Sequence, residues 1–77
     1  MNNQRRKKLN IVSEKVSFIR DEIETIYEEE QECLNNMPDN LQGSDRYIQS
    51  EEACDQMMEC IDSLDDIICI IEEIIEM

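Results

Sequence analysis

Seventy-seven residues carry 20 acidic and 7 basic side chains, a formal net charge of −13, with no His, no Trp, one Gly and one Pro. At roughly 150 residues per domain that is one domain at most, with little interior of its own. Catalysis through His and a zinc site containing His are excluded. With only Phe18, Tyr27 and Tyr47 as aromatics, an all-β domain lacks its usual material.

The chain begins MNNQRRKKLN, which is basic, but no apolar segment follows, so a secretory signal is not expected. A seven-residue rhythm starts at Leu9. Steps of three and four residues pick out Leu9, Val12, Val16, Ile19, Ile23, Ile26, Glu30, Cys33 and Met37, of which only Glu30 is polar. Sustained over four heptads, that rhythm predicts a first helix over about 4–37, packed lengthwise against another.

Residues 38–46 hold the only Pro and the only Gly and predict a loop. Pro38 cannot continue the first helix, because its ring clashes with the carbonyl four residues earlier. It can open a short turn that drops Leu41 over the end of the bundle. Gly43 then allows a positive φ. Ser44 is placed to cap the next helix, with Asp45 in its first turn.

A second stripe runs Tyr47, Ser50, Cys54, Met57, Ile61, Leu64, Ile68, Ile71 and Ile75, with Ser50 the exception, and predicts a helix over about 45–76. Both stripes run through 28 residue steps, roughly 42 Å at the usual helical rise. The loop is too short for parallel helices of that length, so an antiparallel hairpin is expected. The stretch IICIIEEII at 67–75 is interrupted by Glu72 and Glu73 and is too short for a membrane span. A soluble, cytoplasmic protein is the expectation, with Cys33, Cys54, Cys60 and Cys69 as reduced thiols.

Charge agrees with the antiparallel arrangement. Residues 1–20 hold six cations against Glu14, and residues 21–77 hold Arg46 against nineteen acids. Folding back sets Lys8 near Glu76, Lys15 near Glu72 and Glu73, and Arg20 near Asp65 and Asp66. Such surface pairs contribute only ~0–1 kcal/mol each, so they select a register without holding the fold together.

One seam leaves much apolar surface over. Cys60, Ile67 and Ile74 flank the second stripe, with Met58 and Ile70 nearby. Ile11, Phe18, Tyr27 and Leu34 form secondary lines on the first helix. Covering this surface is needed to offset the ordering of the chain. The fold class expected is therefore all-α, a two-helix hairpin that self-associates. A homodimer forming a four-helix bundle is the simplest form, with Ile61, Leu64, Ile67, Ile68, Ile71, Ile74 and Ile75 at the interface.

Chemistry is sparse. Glu28, Glu29, Glu30 and Glu32 cluster, but a carboxylate-bridged metal site pairs Glu with Glu-x-x-His, and there is no His. Glu30 is read as reaching water or Ser50. The cysteines show no C-x-x-C spacing, so no metal site is expected. Cys33 and Cys54 fall near the loop end of their stripes and are placed to face each other. Met57 and Met58 read as core filler. No nucleophile–base pair, Gly-rich phosphate loop or Mg²⁺ motif can be assembled, so neither an enzyme nor a cofactor is expected.

Binding remains. The acidic surface repels nucleic acid, so direct nucleic-acid binding is not expected, and it attracts basic protein surfaces. Arg5, Arg6, Asn36, Gln42, Ser44, Arg46 and Tyr47 are not demanded by the hairpin. Arg46 adjoins a helix N-terminus, where free N–H groups favour anions. Alternatively, Arg46 pairs with Asp45 or Asp39 and closes the loop.

The run RRKKL at 5–9 and the segment NMPDNLQGSDRY at 36–47, set before an acidic, Ile-rich second helix, resemble a group of short phage and prophage proteins of Gram-positive bacteria. The pattern is a basic start, then N-x-P-x-x-L-Q-x-S-x-R, matched at Asn36, Pro38, Leu41, Gln42, Ser44 and Arg46, then a second amphipathic helix. The resemblance implies an accessory protein of the bacterial host's cytoplasm that counters defence by stoichiometric binding. It would sequester a small anionic nucleotide between subunits, with Arg5 and Arg6 of one meeting Ser44, Arg46 and Tyr47 of the other if the two hairpins pack with opposite ends adjacent. Two other readings stand beside it: an acidic inhibitor of a basic host protein, and a plain oligomerisation or regulatory module.

Overall fold

A computed structural model describes residues 1–77 as two helices, α1 (Asn3–Asn35) and α2 (Asp45–Glu76), joined through a 3-10 turn at Asp39–Leu41. They pack antiparallel into a hairpin about 60 Å long and 14 by 13 Å across. There is no strand, and no helix is long and apolar enough to cross a membrane.

Local chemistry sets the helix ends. Asn2 caps α1, its Oδ1 accepting from the Arg5 N–H at 2.9 Å, so the helix starts at Asn3, one residue before the expected position. At the other end α1 stops at Asn35, short of the expected 37. The residue before a proline is disfavoured in the α region, so Met37 leaves the helix. The N–H groups of Asn36 and Met37 instead reach the carbonyls of Glu32 and Leu34, at 3.1 and 3.2 Å.

Inside the loop the Leu41 N–H donates to the Pro38 carbonyl at 2.9 Å and the Ser44 N–H to the Leu41 carbonyl at 3.1 Å. Ser44 caps α2, its Oγ accepting from the Tyr47 N–H at 3.3 Å. Gly43 does not use the positive φ open to it, and a Cβ there would meet open space. Two successive short-range hydrogen bonds turn the chain without the left-handed conformation that only glycine adopts cheaply.

On α2 the expected stripe is the one that packs. Cys54 and Ile61 are buried and Tyr47, Ser50, Met57, Leu64, Ile68, Ile71 and Ile75 are half-buried. On α1 the seam lies one residue further round the helix than expected. Leu9, Val16, Ile23, Glu30 and Met37 are half-buried, but their seam partners are Ser13, Arg20, Tyr27 and Leu34. Val12, Ile19, Ile26 and Cys33, expected on the seam, are exposed, and Tyr27 and Leu34, expected on its flank, belong to it. α1 is apolar over a wider arc than one neighbour covers. α2 takes the edge where Arg20 meets Asp65 and Glu30 meets Ser50.

Arg20 carries the ion pairing. Its Nε donates to Asp65 Oδ1 at 2.9 Å, and its Nη1 reaches Asp21 at 3.3 Å and bonds Glu24. The Asp65 hydrogen bond, ahead of the fields of Asp65 and Glu24, raises the Arg20 pKa above its ordinary value. Lys8 and Lys15 form no ion pair, so of the expected cross-helix pairs only Arg20–Asp65 is made. Neither helix has a basic residue in its last turn, and α1 has no acid in its first. The basic start of α1 and the acidic end of α2 therefore each oppose the macrodipole of their own helix. The hairpin offsets this by setting the basic start of α1 beside the acidic end of α2.

Burial is slight. Only four residues are buried: Leu34, Cys54, Ile61 and the polar Ser13. Ile11, Phe18, Ile48, Ile67 and Ile70 are exposed, along with Met58, whose place on the surface corrects its reading as core filler.

Candidate functional site

The loop end gathers most of the residues singled out from the sequence, and the structure divides them between two sides of the hairpin. One side holds an open cleft of about 550 Å³, lined by Glu30, Cys33, Leu34, Met37, Leu41, Ser44, Arg46 and Ser50. The other holds a more polar cleft of about 280 Å³, lined by Gln31, Leu34, Asn35, Tyr47, Glu51 and Asp55. Leu34 reaches both because it sits in the seam between them. Ser44 and Arg46 therefore share a cleft, and Tyr47 faces away from it.

Arg46 is exposed and has neither a hydrogen bond nor an ion pair. The alternative in which Arg46 closes the loop onto Asp45 or Asp39 is not what forms. Gln42 takes that part, its Nε2 donating to Asp39 Oδ1 at 3.3 Å. Asn36 is the exposed C-cap residue of α1. Arg46 sits in the first turn of α2, where the N–H groups of Asp45 and Arg46 have no intrahelical acceptor, so the helix end adds partial positive charge beside the guanidinium.

Arg5 and Arg6 lie at the opposite end, near the start of α1, and one hairpin cannot bring them to Arg46. Arg5 borders a shallow depression with Met1, Lys8, Leu9 and Val12. Arg6 is half-buried, its Nη1 donating to Asn3 Oδ1 at 3.3 Å and its Nε buried without a partner.

Glu30 limits what the Arg46 cleft accepts. Its carboxylate accepts a hydrogen bond from Ser50 Oγ, as the sequence suggested, and places negative charge in the cleft wall. It also acts on Cys54. Burial, with the thiol only 1% exposed, raises the Cys54 pKa, and the charges of Glu30, Asp55 and Glu51 push the same way. A hydrogen bond with Gln31 works against them. Cys33 is exposed, so the expected facing pair of Cys33 and Cys54 is not formed.

The raised Cys54 value has a testable sign. The folded state holds the proton more tightly than the unfolded chain, so this contribution to stability is complete below the ordinary thiol pKa of about 8.5. It is lost as pH climbs through the raised folded value. Urea denaturation between pH 7 and 10 is expected to show wild type losing more stability than Cys54→Ala. Parallel curves would refute it.

Of the residues expected at an oligomer interface, Ile61 is 4% exposed within its own hairpin, and Leu64, Ile68, Ile71 and Ile75 are half-buried against α1. Ile74 is half-buried too, and Ile67 is 44% exposed. Most of that list therefore serves the internal seam first. No cluster of three or more Cys, Asp and Glu side chains is spaced to hold a metal ion. Comparison with known protein families, curated proteins and solved structures finds no match.

Proposed function

We propose that this chain is a non-enzymatic accessory protein that works by stoichiometric capture of a small anionic ligand of the nucleotide type at the loop end. The observation that carries the reading is Arg46: the one cation after Arg20 is left without a partner, in an open cleft beside a helix N-terminus and Ser44. A guanidinium gives a phosphate two parallel donors, and the free N–H groups of α2 add more. Leu34, Met37 and Leu41 supply an apolar wall against which a base can lie. In its biological setting the protein is read as a phage factor acting in the cytoplasm of a bacterial host, where binding a defence signal one to one removes it from use. The resemblance of the loop pattern to short phage proteins supports that setting.

Thermal melting against a panel of cyclic dinucleotides and ADP-ribose-type nucleotides tests the reading. A ligand at one hundred times its Kd adds about 2.7 kcal/mol of apparent stability, a rise of many degrees for a chain this small. The rise is expected with wild type and absent with Arg46→Ala. No shift across the panel removes the proposal.

A second reading has its own observation. Eighteen of the 20 carboxylates are exposed, only Glu24 and Glu30 being half-buried, so the rod presents negative charge along most of its length. Such a surface suits a basic protein partner, and retention of that partner would fall steeply between low and moderate salt.

A further inference from the structure

Part of the exposed apolar surface of the two helices falls into register. On α1, Val12, Ile19, Ile26 and Cys33 are all exposed and seven residues apart, one line that drifts by only ~20° per step. On α2, Ala53, Cys60 and Ile67 are exposed at the same spacing, and half-buried Ile74 extends the line. Arg5 begins the first line and Arg46 the second.

Both lines open to the same side of the hairpin. Cys33 and Arg46 line one cleft, and the residues special to the opposite cleft, among them Gln31, Tyr47 and Glu51, belong to neither line. The Arg20–Asp65 pair also lies on that opposite side, since Asp65 follows Glu51 by two heptads. One face is left apolar and unpartnered, and the other carries the cross-helix ion pair.

We infer that the apolar face is the interface between two copies of this chain, packed face to face with the hairpins running in opposite directions. Two seven-residue apolar lines side by side are half of a four-helix bundle, and a second identical half completes it. Charge selects the direction. With the hairpins opposed, Lys15 and Arg20 lie over the acidic second half of α1 in the other copy and Arg5, Arg6, Lys7 and Lys8 over its loop end; with like ends together, the acidic loop ends would meet.

The levels within the hairpin agree. Arg20 stands beside Asp65 and Glu30 beside Ser50, which sets Cys60 level with the stretch between Ile19 and Ile26. That level is the midpoint of both lines, so a two-fold axis there sets the two Cys60 residues against each other and Ile19 against the partner's Ile26. The arrangement also carries Arg5 and Lys8 of each copy over the loop-end cleft of the other, where they add positive charge beside Arg46 and offset Glu30. The interface does not depend on the anion reading, and it supplies what that reading lacks in a single chain.

Sedimentation equilibrium of the full chain at tens of micromolar is expected to give twice the 9.1 kDa chain mass. Ile19→Asp, at a site exposed in the hairpin, is expected to give a helical monomer, and Met58→Asp, on the other face, to leave the dimer. A monomeric wild type, or equal disruption by Met58→Asp, overturns the interface.

Oxidation of the Cys33→Ser/Cys69→Ser variant with diamide tests direction. The two Cys60 thiols are expected to join as a disulfide, their two protons and two electrons passing to diamide, and to run as a dimer on a non-reducing gel. A dimer in solution that yields no such product overturns the opposed arrangement. Nucleotide binding by a monomeric chain would overturn this interface and spare the anion reading, and a dimer that binds no nucleotide would do the reverse.

Discussion

Ile61→Ala is expected to remove most of the stability this chain has. Ile61 is one of three buried apolar residues, 4% exposed in the middle of α2, and within the hairpin no second core layer lies behind it. Truncating a buried isoleucine costs about 2–5 kcal/mol, through lost transfer energy and the cavity left behind. The better helix propensity of alanine returns only a few tenths of that. A single core in a chain this short supplies about 3–5 kcal/mol in total. Urea titration followed by helical circular dichroism is therefore expected to show a midpoint near zero denaturant, or no cooperative transition. Ile70→Ala is the control: Ile70 is 55% exposed, and its truncation is expected to fall within about 0.5 kcal/mol of wild type. Equal effects at the two positions would contradict the seam described above.

The joint substitution Glu30→Leu and Ser50→Ala is expected to act in the other direction. Glu30 is the one polar member of the half-buried line Leu9, Val16, Ile23, Glu30 and Met37, and its carboxylate is bonded to Ser50. Fully burying a leucine contributes about 1.5–3 kcal/mol, so a half-buried one contributes about 1. Removing both partners together leaves no orphaned group. Ser50→Ala alone leaves a half-buried carboxylate short of a donor and is expected to cost about 1 kcal/mol. Thermal melting of both variants checks the signs. If Arg46 binds an anion, the double variant is also expected to bind it more tightly, since a negative charge leaves the wall of the same cleft. A double variant less stable than Ser50→Ala would show that the pair contributes more than its geometry indicates.

Much of the architecture was legible in the residues. The seven-residue rhythm named every seam position on α2, the short loop fixed the antiparallel direction, and Ser44 announced its own cap. Arg20–Asp65 and Glu30–Ser50 were both readable from stripe ends matched across the loop. Gly43 marked the turn but not its geometry, because a glycine there is permissive without being required to use that freedom. Asn2, which caps α1, lies outside the rhythm that begins at Leu9. In the candidate site, the sequence marked Arg46 as unusual but could not say whether it closes the loop. That depended on Gln42 reaching Asp39 first.

The amino-acid order by itself determined that two amphipathic helices form, where the chain turns and which way it returns. These depend on spacing, on proline geometry and on charges near in sequence. Only the tertiary structure decided which edge of α1 meets α2. Periodicity records that an arc is apolar, and when the arc is wider than one neighbour, several adjacent lines satisfy it equally. The choice fell to contacts between residues 20 or 45 positions apart, Glu30 with Ser50 and Arg20 with Asp65. Those contacts set Tyr47 on one side of the hairpin and Arg46 on the other, and leave Val12, Ile19 and Ile26 facing outward.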